Sequence, residues 1–169
     1  MKRQLFENKW VSLWEVVEPD KGVNGYVYSH ETRCQGRIVA VLPFKNDRLF
    51  LLKFEVTPCW GMEPVVSAVT GGYEGEDIAD DAVREVLEET GYTITKDELI
   101  PLGTCFGTKS TDTVYYLYAV DVTDKEQGVA MGDGSRIESE SKTVWADSGD
   151  IAKCNDPIVS TMYVRLVAE

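Results

Sequence analysis

Between Thr70 and Tyr92 the chain reads TGGYEGEDIADDAVREVLEETGY. Paired glycines, Gly71 and Gly72, read as a turn. Glu76 follows, and then Arg84, Glu85, Glu88 and Glu89 crowd into six residues. Packing alone gives no reason to bring so many carboxylates together. A hard divalent cation engaged in phosphate chemistry does, because such ions take oxygen ligands. On an α-helix each residue turns by about 100°. With Arg84 at zero, Glu88 falls near roughly 40°, Glu85 near 100° and Glu89 near 140°. The four side chains share one face. Ala79, Ala82, Val83, Val86 and Leu87 occupy the opposite arc and can face a core. Asp77 is a good N-cap, Asp80 makes an approximate capping box with it, and Gly91 suits the C′ position. The spacing predicts a helix over 78–90.

Electrostatics says what such a face needs. Two carboxylates about 4 Å apart repel by roughly 1 kcal/mol in water and about 4 kcal/mol near a protein surface. Glu85 and Glu89 are an i,i+4 like-charge pair, which disfavours the helix. Arg84 offsets one charge, and as an i,i+4 partner of Glu88 it contributes a few tenths of a kcal/mol. An ion such as Mg2+ would neutralise the rest while keeping some of its waters. Charge runs are commonly solvated faces. The glycines and Glu76 ahead of the helix weigh against that plainer reading.

The segment resembles the box of the Nudix hydrolases, G-x5-E-x7-R-E-U-x-E-E-x-G-U, with U apolar. From Glu76 through Arg84-Glu85-Val86-Leu87-Glu88-Glu89-Thr90-Gly91-Tyr92 the match is complete, with Tyr92 as a less typical U. The front departs, because Gly71 lies five positions before Glu76 where the pattern asks for six, and Thr70 holds the sixth. The resemblance implies an α/β/α sandwich with a mixed sheet. It implies an Mg2+-dependent pyrophosphohydrolase, with Mn2+ as an alternative ion. By the same resemblance Glu85 and Glu89 are metal ligands. Glu88 binds a second ion or orients its waters, and a carbonyl of Thr70 or Gly71 completes the shell. Arg84 holds the glutamates, and Glu76 orients Arg84. Glu138 and Glu140 occupy the stretch where ADP-ribose-cleaving relatives carry the general base. Asp112 lies where relatives often carry another acid. Trp60, Phe106 and Tyr115 are candidates for stacking on a base, although aromatics at strand positions more often fill a core.

The substrate is less legible. ADP-ribose-type relatives enter the box through E-L-P-A-G, where this chain has Ser67-Ala68-Val69-Thr70-Gly71. They often carry R-Q-Y-R where it has Lys53-Phe54-Glu55-Val56. The proline of many ADP-ribose enzymes would fall near Gly107, and the tyrosine of dinucleoside polyphosphate enzymes near 108–110; both are absent. The preferred substrate is ADP-ribose or a nucleotide sugar. A hydrolase of modified nucleoside triphosphates and a non-catalytic nucleotide-binding module are the competing readings.

The remaining chain must position this segment. Its 169 residues suit one domain, 1–169, with one good core. Strand formers dominate 10–17, 25–29, 37–42, 48–56, 64–69, 99–106 and 113–122, with a further strand over 138–145 and a turn at Asn46-Asp47. Residues 124–136 read as a loop. Asp156-Pro157 opens a C-terminal helix with apolar residues at Ile158, Val159, Met162, Tyr163, Leu166 and Val167. The order of elements is that of the ADP-ribose pyrophosphatase-like branch, with an extra N-terminal strand pair within 1–35. Related enzymes pair through that region, so Trp10 and Trp14 are candidate homodimer material.

The net charge of −12 argues against nucleic acid and anionic membrane as partners. It leaves room for a phosphorylated small molecule, since bound divalent ions invert the local field. Four scattered cysteines with no CxxC pair read as free thiols of a reducing cytoplasm. With a single His30 they make a zinc site improbable on composition. No apolar stretch is long enough for a membrane helix, and MKRQLFENKW lacks a signal-peptide core.

Overall fold

The computed structural model describes residues 1–75, 77–132 and 141–168. Among these residues two sheets are present. The first is an antiparallel sheet of β1 (Lys2–Glu7), β2 (Ser12–Glu18) and β3 (Val23–His30), in that order. The second runs β10-β5-β4-β9-β8 and is built from β4 (Arg37–Lys45), β5 (Leu49–Glu55), β8 (Ile100–Phe106), β9 (Val114–Asp121) and β10 (Lys142–Ala146). It is mixed, because β4 and β9 run parallel while the other neighbours run antiparallel.

Alternation along the central strands sends side chains to two cores. Val39, Val41 and Leu51 pack with Ala82 and Val86 of α1 (Ile78–Thr90) on one face. Ala40, Leu42, Phe50 and Leu52 pack with Ile151 of α2 (Ser148–Ile151) and Val159 and Met162 of α3 (Pro157–Val167) on the other. The result is the α/β/α sandwich with a mixed central sheet that the box resemblance implies.

One irregularity in the sheet makes room for chemistry. Strands β4 and β5 pair only beside their hairpin, at Phe44–Phe50 and Lys45–Leu49, where Asn46 and Asp47 take positive φ. Beyond that they splay. The wedge is filled by β6 (Val65–Ser67) on β5 and β7 (Val69–Gly72) on β4. The expected strand over 64–69 is therefore two strands broken at Ala68, whose N–H leaves the ladder and donates to Asp156 at 2.8 Å.

Three other expectations are corrected. Gly71 and Gly72 belong to β7 and form no turn; the turn glycine is Gly75, at φ +103°. The N-terminal pair is a three-stranded sheet, since Lys2–Glu7 adds β1. Every residue of β1 is exposed, so no apolar alternation marks it. Asp80 does not complete a capping box. Asp77 caps α1 through the Ala79 N–H, while Asp80 turns to Lys96 at 2.7 Å.

The N-terminal sheet docks on the β8–β9 connection through backbone bonds, Ser29 N–H to Ser110 at 2.9 Å and Asp112 N–H to Ser29 at 3.2 Å. His30 Nδ1 adds a 3.0 Å contact to Asp112. Among the described residues no helix is long and apolar enough to cross a membrane, and all four cysteines are free.

Candidate active site

Helix α1 carries the box glutamates because its ends are fixed. Asp77 accepts from the Ala79 N–H at 3.1 Å, and Lys96 clamps Asp77 from outside at 3.1 Å. At the other end Gly91 takes φ +77° and donates to Leu87 O. No side chain fits there in any case, since a Cβ would lie 2.4 Å from Gly128 O. The segment after β9 also ties down this end, with Met131 and Gly132 N–H groups both 3.0 Å from Glu88 O.

The buried arc of the helix is rotated relative to the apolar arc. Leu87 is 40% exposed, whereas Glu85 is only 8% exposed. The acidic face is thus turned partly inward, onto β7 and β5.

Gly71 is what lets Glu85 in. A Cβ on Gly71 would lie 1.9 Å from the Glu85 carboxyl carbon, so only glycine leaves room for the Glu85 carboxylate where it lies. Burial pushes the Glu85 carboxyl up to about 7, against the opposing charge of Arg84. Glu89, one turn on, meets Lys53 of β5 at 2.5 Å and accepts from the Thr70 N–H at 3.2 Å. Burial pushes Glu89 up to about 8, against Lys53. Lys53 itself is 5% exposed and bridges to Glu55 at 3.1 Å. Burial pulls its pKa down, but Glu89 and Glu55 outweigh that and raise it.

Arg84 is the hub of the outer rim. One guanidinium nitrogen meets Glu85 at 2.8 Å and Glu88 at 2.9 Å; the other meets Asp81 at 3.3 Å and Glu74 at 3.4 Å. Partial burial opposes its charge, yet these carboxylates hold its pKa above the usual arginine value. A fixed planar fork suits this multidentate role in a way lysine would not.

The groups converge on a polar cavity of about 570 Å³, lined by Thr70, Gly71, Arg84, Glu85, Glu88 and Glu89 among others. Its glutamates offer carboxylate oxygens, the donors a hard divalent ion takes. Among the described residues no three acidic side chains already converge as a ready cage. Glu85 and Glu89 face Arg84 and Lys53, which hold their charge in check.

Of the residues singled out from the sequence, Arg84, Glu85, Glu88, Glu89, Thr70 and Gly71 are brought together. Glu76, Glu138 and Glu140 lie outside the described residues. Trp60 lines a second, neighbouring cavity. Phe106 is 73% exposed at the end of the edge strand β8 and lines neither cavity, and Asp112 is engaged by His30. Lys53, Asp81 and Glu74 were not anticipated. The signal for Lys53 was present as a charge inside the apolar run RLFLLKFEV. The contacts of Asp81 and Glu74 with Arg84 depend on the path of the turn ahead of α1.

Sheet, helix and cavity define an α/β/α sandwich protein with a carboxylate-rich polar site. A model of the Nudix domain matches residues 35–159, and the chain belongs to the Nudix hydrolase family, whose members are pyrophosphohydrolases. Among solved structures it is similar to an ADP compounds hydrolase, with 15% identity and a TM-score of 0.75 over 99% of this chain and 90% of the other. At that identity the likeness is one of fold, N-terminal strands included. A search of curated proteins finds no match.

Proposed function

We propose that the chain hydrolyses the pyrophosphate bond of a nucleoside diphosphate linked to another moiety, ADP-ribose or a nucleotide sugar, in the presence of Mg2+ or Mn2+. The observation that carries this reading is that three box glutamates, two of them desolvated, line one polar cavity with Thr70 of the adjoining strand. Glu85 and Glu89 would hold the ion, and Glu88 a second ion or its waters, with a carbonyl of Thr70 or Gly71 completing the shell. A bound ion supplies neutralisation of developing phosphoryl charge and a more acidic water.

The chain's own residues set up that chemistry. Arg84 fixes Glu85 and Glu88 through one nitrogen, and Lys53 fixes Glu89. Both cations favour the ionised, ligating form of carboxylates that burial pushes toward protonation. Glu76 is assigned to orient Arg84, and Glu138 or Glu140 to accept the proton of the attacking water, on their places in the chain. The ADP compounds hydrolase of similar fold supports a nucleoside diphosphate substrate.

The acidic charge of −12 supports a small-molecule partner rather than nucleic acid or membrane. The free thiols support a cytoplasmic setting, and Trp10, exposed in the β1–β2 connection, supports a homodimer, with the half-buried Trp14 of β2 beside it. Product analysis tests the reaction. Release of a nucleoside monophosphate from ADP-ribose or a nucleotide sugar is expected. Release of inorganic pyrophosphate from triphosphates alone would replace this reading with the triphosphate one.

A further inference from the structure

The cavity that holds the box glutamates has a further wall, supplied by the β3–β4 connection through Arg33, Cys34 and Gln35. That connection is fixed. Cys34 is buried and packs on β7, where a Cβ on Gly72 would lie 3.0 Å from its own Cβ. The Gly36 N–H donates to Glu31 O at 2.9 Å, and the Thr32 N–H to Trp10 O at 3.0 Å. Arg33 is thereby laid over β7, with one Nη 3.6 Å and Nε 4.0 Å from the place a Gly72 Cβ would take. Its guanidinium also rests on the indole of Trp10, with Cζ 5.6 Å from the ring centre.

Charge pairing around the cavity leaves this arginine over. Four glutamates line it, and each already faces another cation. Glu74, Glu85 and Glu88 meet Arg84, and Glu89 meets Lys53. Among the described residues the Arg33 side chain makes no ion pair and no hydrogen bond; its recorded partner is the Trp10 ring. An aromatic face attracts the charge without supplying an oxygen, so the planar fork of N–H donors stays available. Such a fork matches two oxygens of one phosphoryl group. The glutamates reach the cavity from α1 and Arg33 from the β3–β4 connection, so an anion seated there can be gripped from both sides.

We propose that Arg33 binds the ligand of this site by donating to oxygens of a phosphoryl group, and that Trp10 is the positioning residue that holds Arg33 ready. Parked on an indole, Arg33 leaves the glutamates open to an ion while keeping a cation within reach of the anion. The β1–β2 connection, far from the box in sequence, thereby takes part in the site through Trp10. The inference rests on the function proposed above only for the chemistry of the ligand, a phosphate ester or anhydride.

The probe is α,β-methylene-ADP, whose P–C–P link does not hydrolyse, titrated into the full chain with Mg2+ and read by calorimetry. Arg33 is exposed, so its variants keep the fold. Arg33→Ala should weaken probe binding about thirtyfold, the loss expected of a charged hydrogen-bonding group, and Arg33→Lys should recover part of it. Trp10→Ala should weaken binding about threefold, as for an exposed cation–π contact, while Trp10→Phe stays within about twofold of wild type. On the Arg33→Ala background, Trp10→Ala should cost nothing more. Mn2+ titrated alone should bind Arg33→Ala no more weakly than wild type, which separates a contact with the anion from support of the glutamates. Unchanged probe binding in Arg33→Ala, equal losses in Arg33→Ala and Arg33→Lys, or a parallel loss of Mn2+ binding would overturn the assignment of Arg33. An equal loss from Trp10→Ala with and without Arg33 would overturn that of Trp10. If the probe pattern holds while wild type hydrolyses no nucleoside diphosphate derivative, the proposed reaction fails and the anion contact stands.

Discussion

Replacing Gly71 by alanine separates a packing role for this glycine from its role at the site. In the structure the new methyl would sit 1.9 Å from the Glu85 carboxyl carbon. An ordinary carbon contact needs about 3.5 Å, so the carboxyl must swing away by roughly 1.5 Å. Glu85 is flexible at that end, and the backbone at Gly71 is extended, so the fold should survive. Overpacking of this size costs about 1–3 kcal/mol, which for a chain of this length lowers Tm by roughly 3–10 °C. The catalytic consequence is larger. A displaced Glu85 also gives up its 2.8 Å contact with Arg84. Misplacement of a reacting constellation by about 1 Å costs about a hundredfold in rate, or roughly 2.7 kcal/mol of transition-state stabilisation. The assay is kcat/KM on ADP-ribose at 25 °C, where the variant remains folded, alongside Glu85→Gln and the double variant. Both changes act through one carboxylate, so the double variant should be no worse than Glu85→Gln alone. Wild-type turnover in Gly71→Ala, or losses that simply multiply, would refute the idea that this glycine exists to admit Glu85.

Three further outcomes are expected. Lys53→Met leaves Glu89 and Glu55 without their shared cation and should destabilise the metal-free protein by about 3 kcal/mol in urea unfolding, with Mg2+ recovering part of the loss; an unchanged midpoint would show that Lys53 does not hold Glu89. Glu85 and Glu89 titrate near 7 and 8 in the folded chain against 4.5 unfolded, so the metal-free folded state binds more protons across that window. Its stability should fall by a few kcal/mol as pH rises from about 5 to 8.5, and Mg2+ should stabilise more at the upper end; a midpoint that rises with pH in EDTA would contradict this. Gly91→Ala combines a left-handed φ of +77° with a Cβ 2.4 Å from Gly128 O, so a Tm loss of at least about 5 °C is expected by calorimetry, and an unchanged Tm would remove the close approach of residues 127–132 from the account.

The box helix was legible because its signal is local. Asp77, the Arg84–Glu89 spacing and Gly91 lie within fifteen residues and obey a single period. Gly71 and Gly72 misled for a related reason. A glycine pair reads locally as a turn, whereas the true constraint on Gly71 is Glu85, on a separate element. Lys53 was hidden because its partner Glu89 lies 36 positions on, and nothing local marks a lysine as buried. The first N-terminal strand carried no buried face to reveal it. The second cavity draws Trp60, Tyr115 and Asp156 from positions far apart in the chain, so no local pattern marks it.

The most direct test of the central claim, that the box glutamates serve metal-dependent pyrophosphate hydrolysis, is turnover of ADP-ribose and nucleotide sugars by wild type and Glu89→Gln, with and without Mg2+. The account predicts Mg2+-dependent release of a nucleoside monophosphate by wild type. It predicts a loss of about a hundredfold to a thousandfold in Glu89→Gln, of the size seen when a group acting on transition-state charge is removed, with the melting temperature preserved. Wild-type-like turnover in Glu89→Gln, or equal turnover in EDTA, would contradict it.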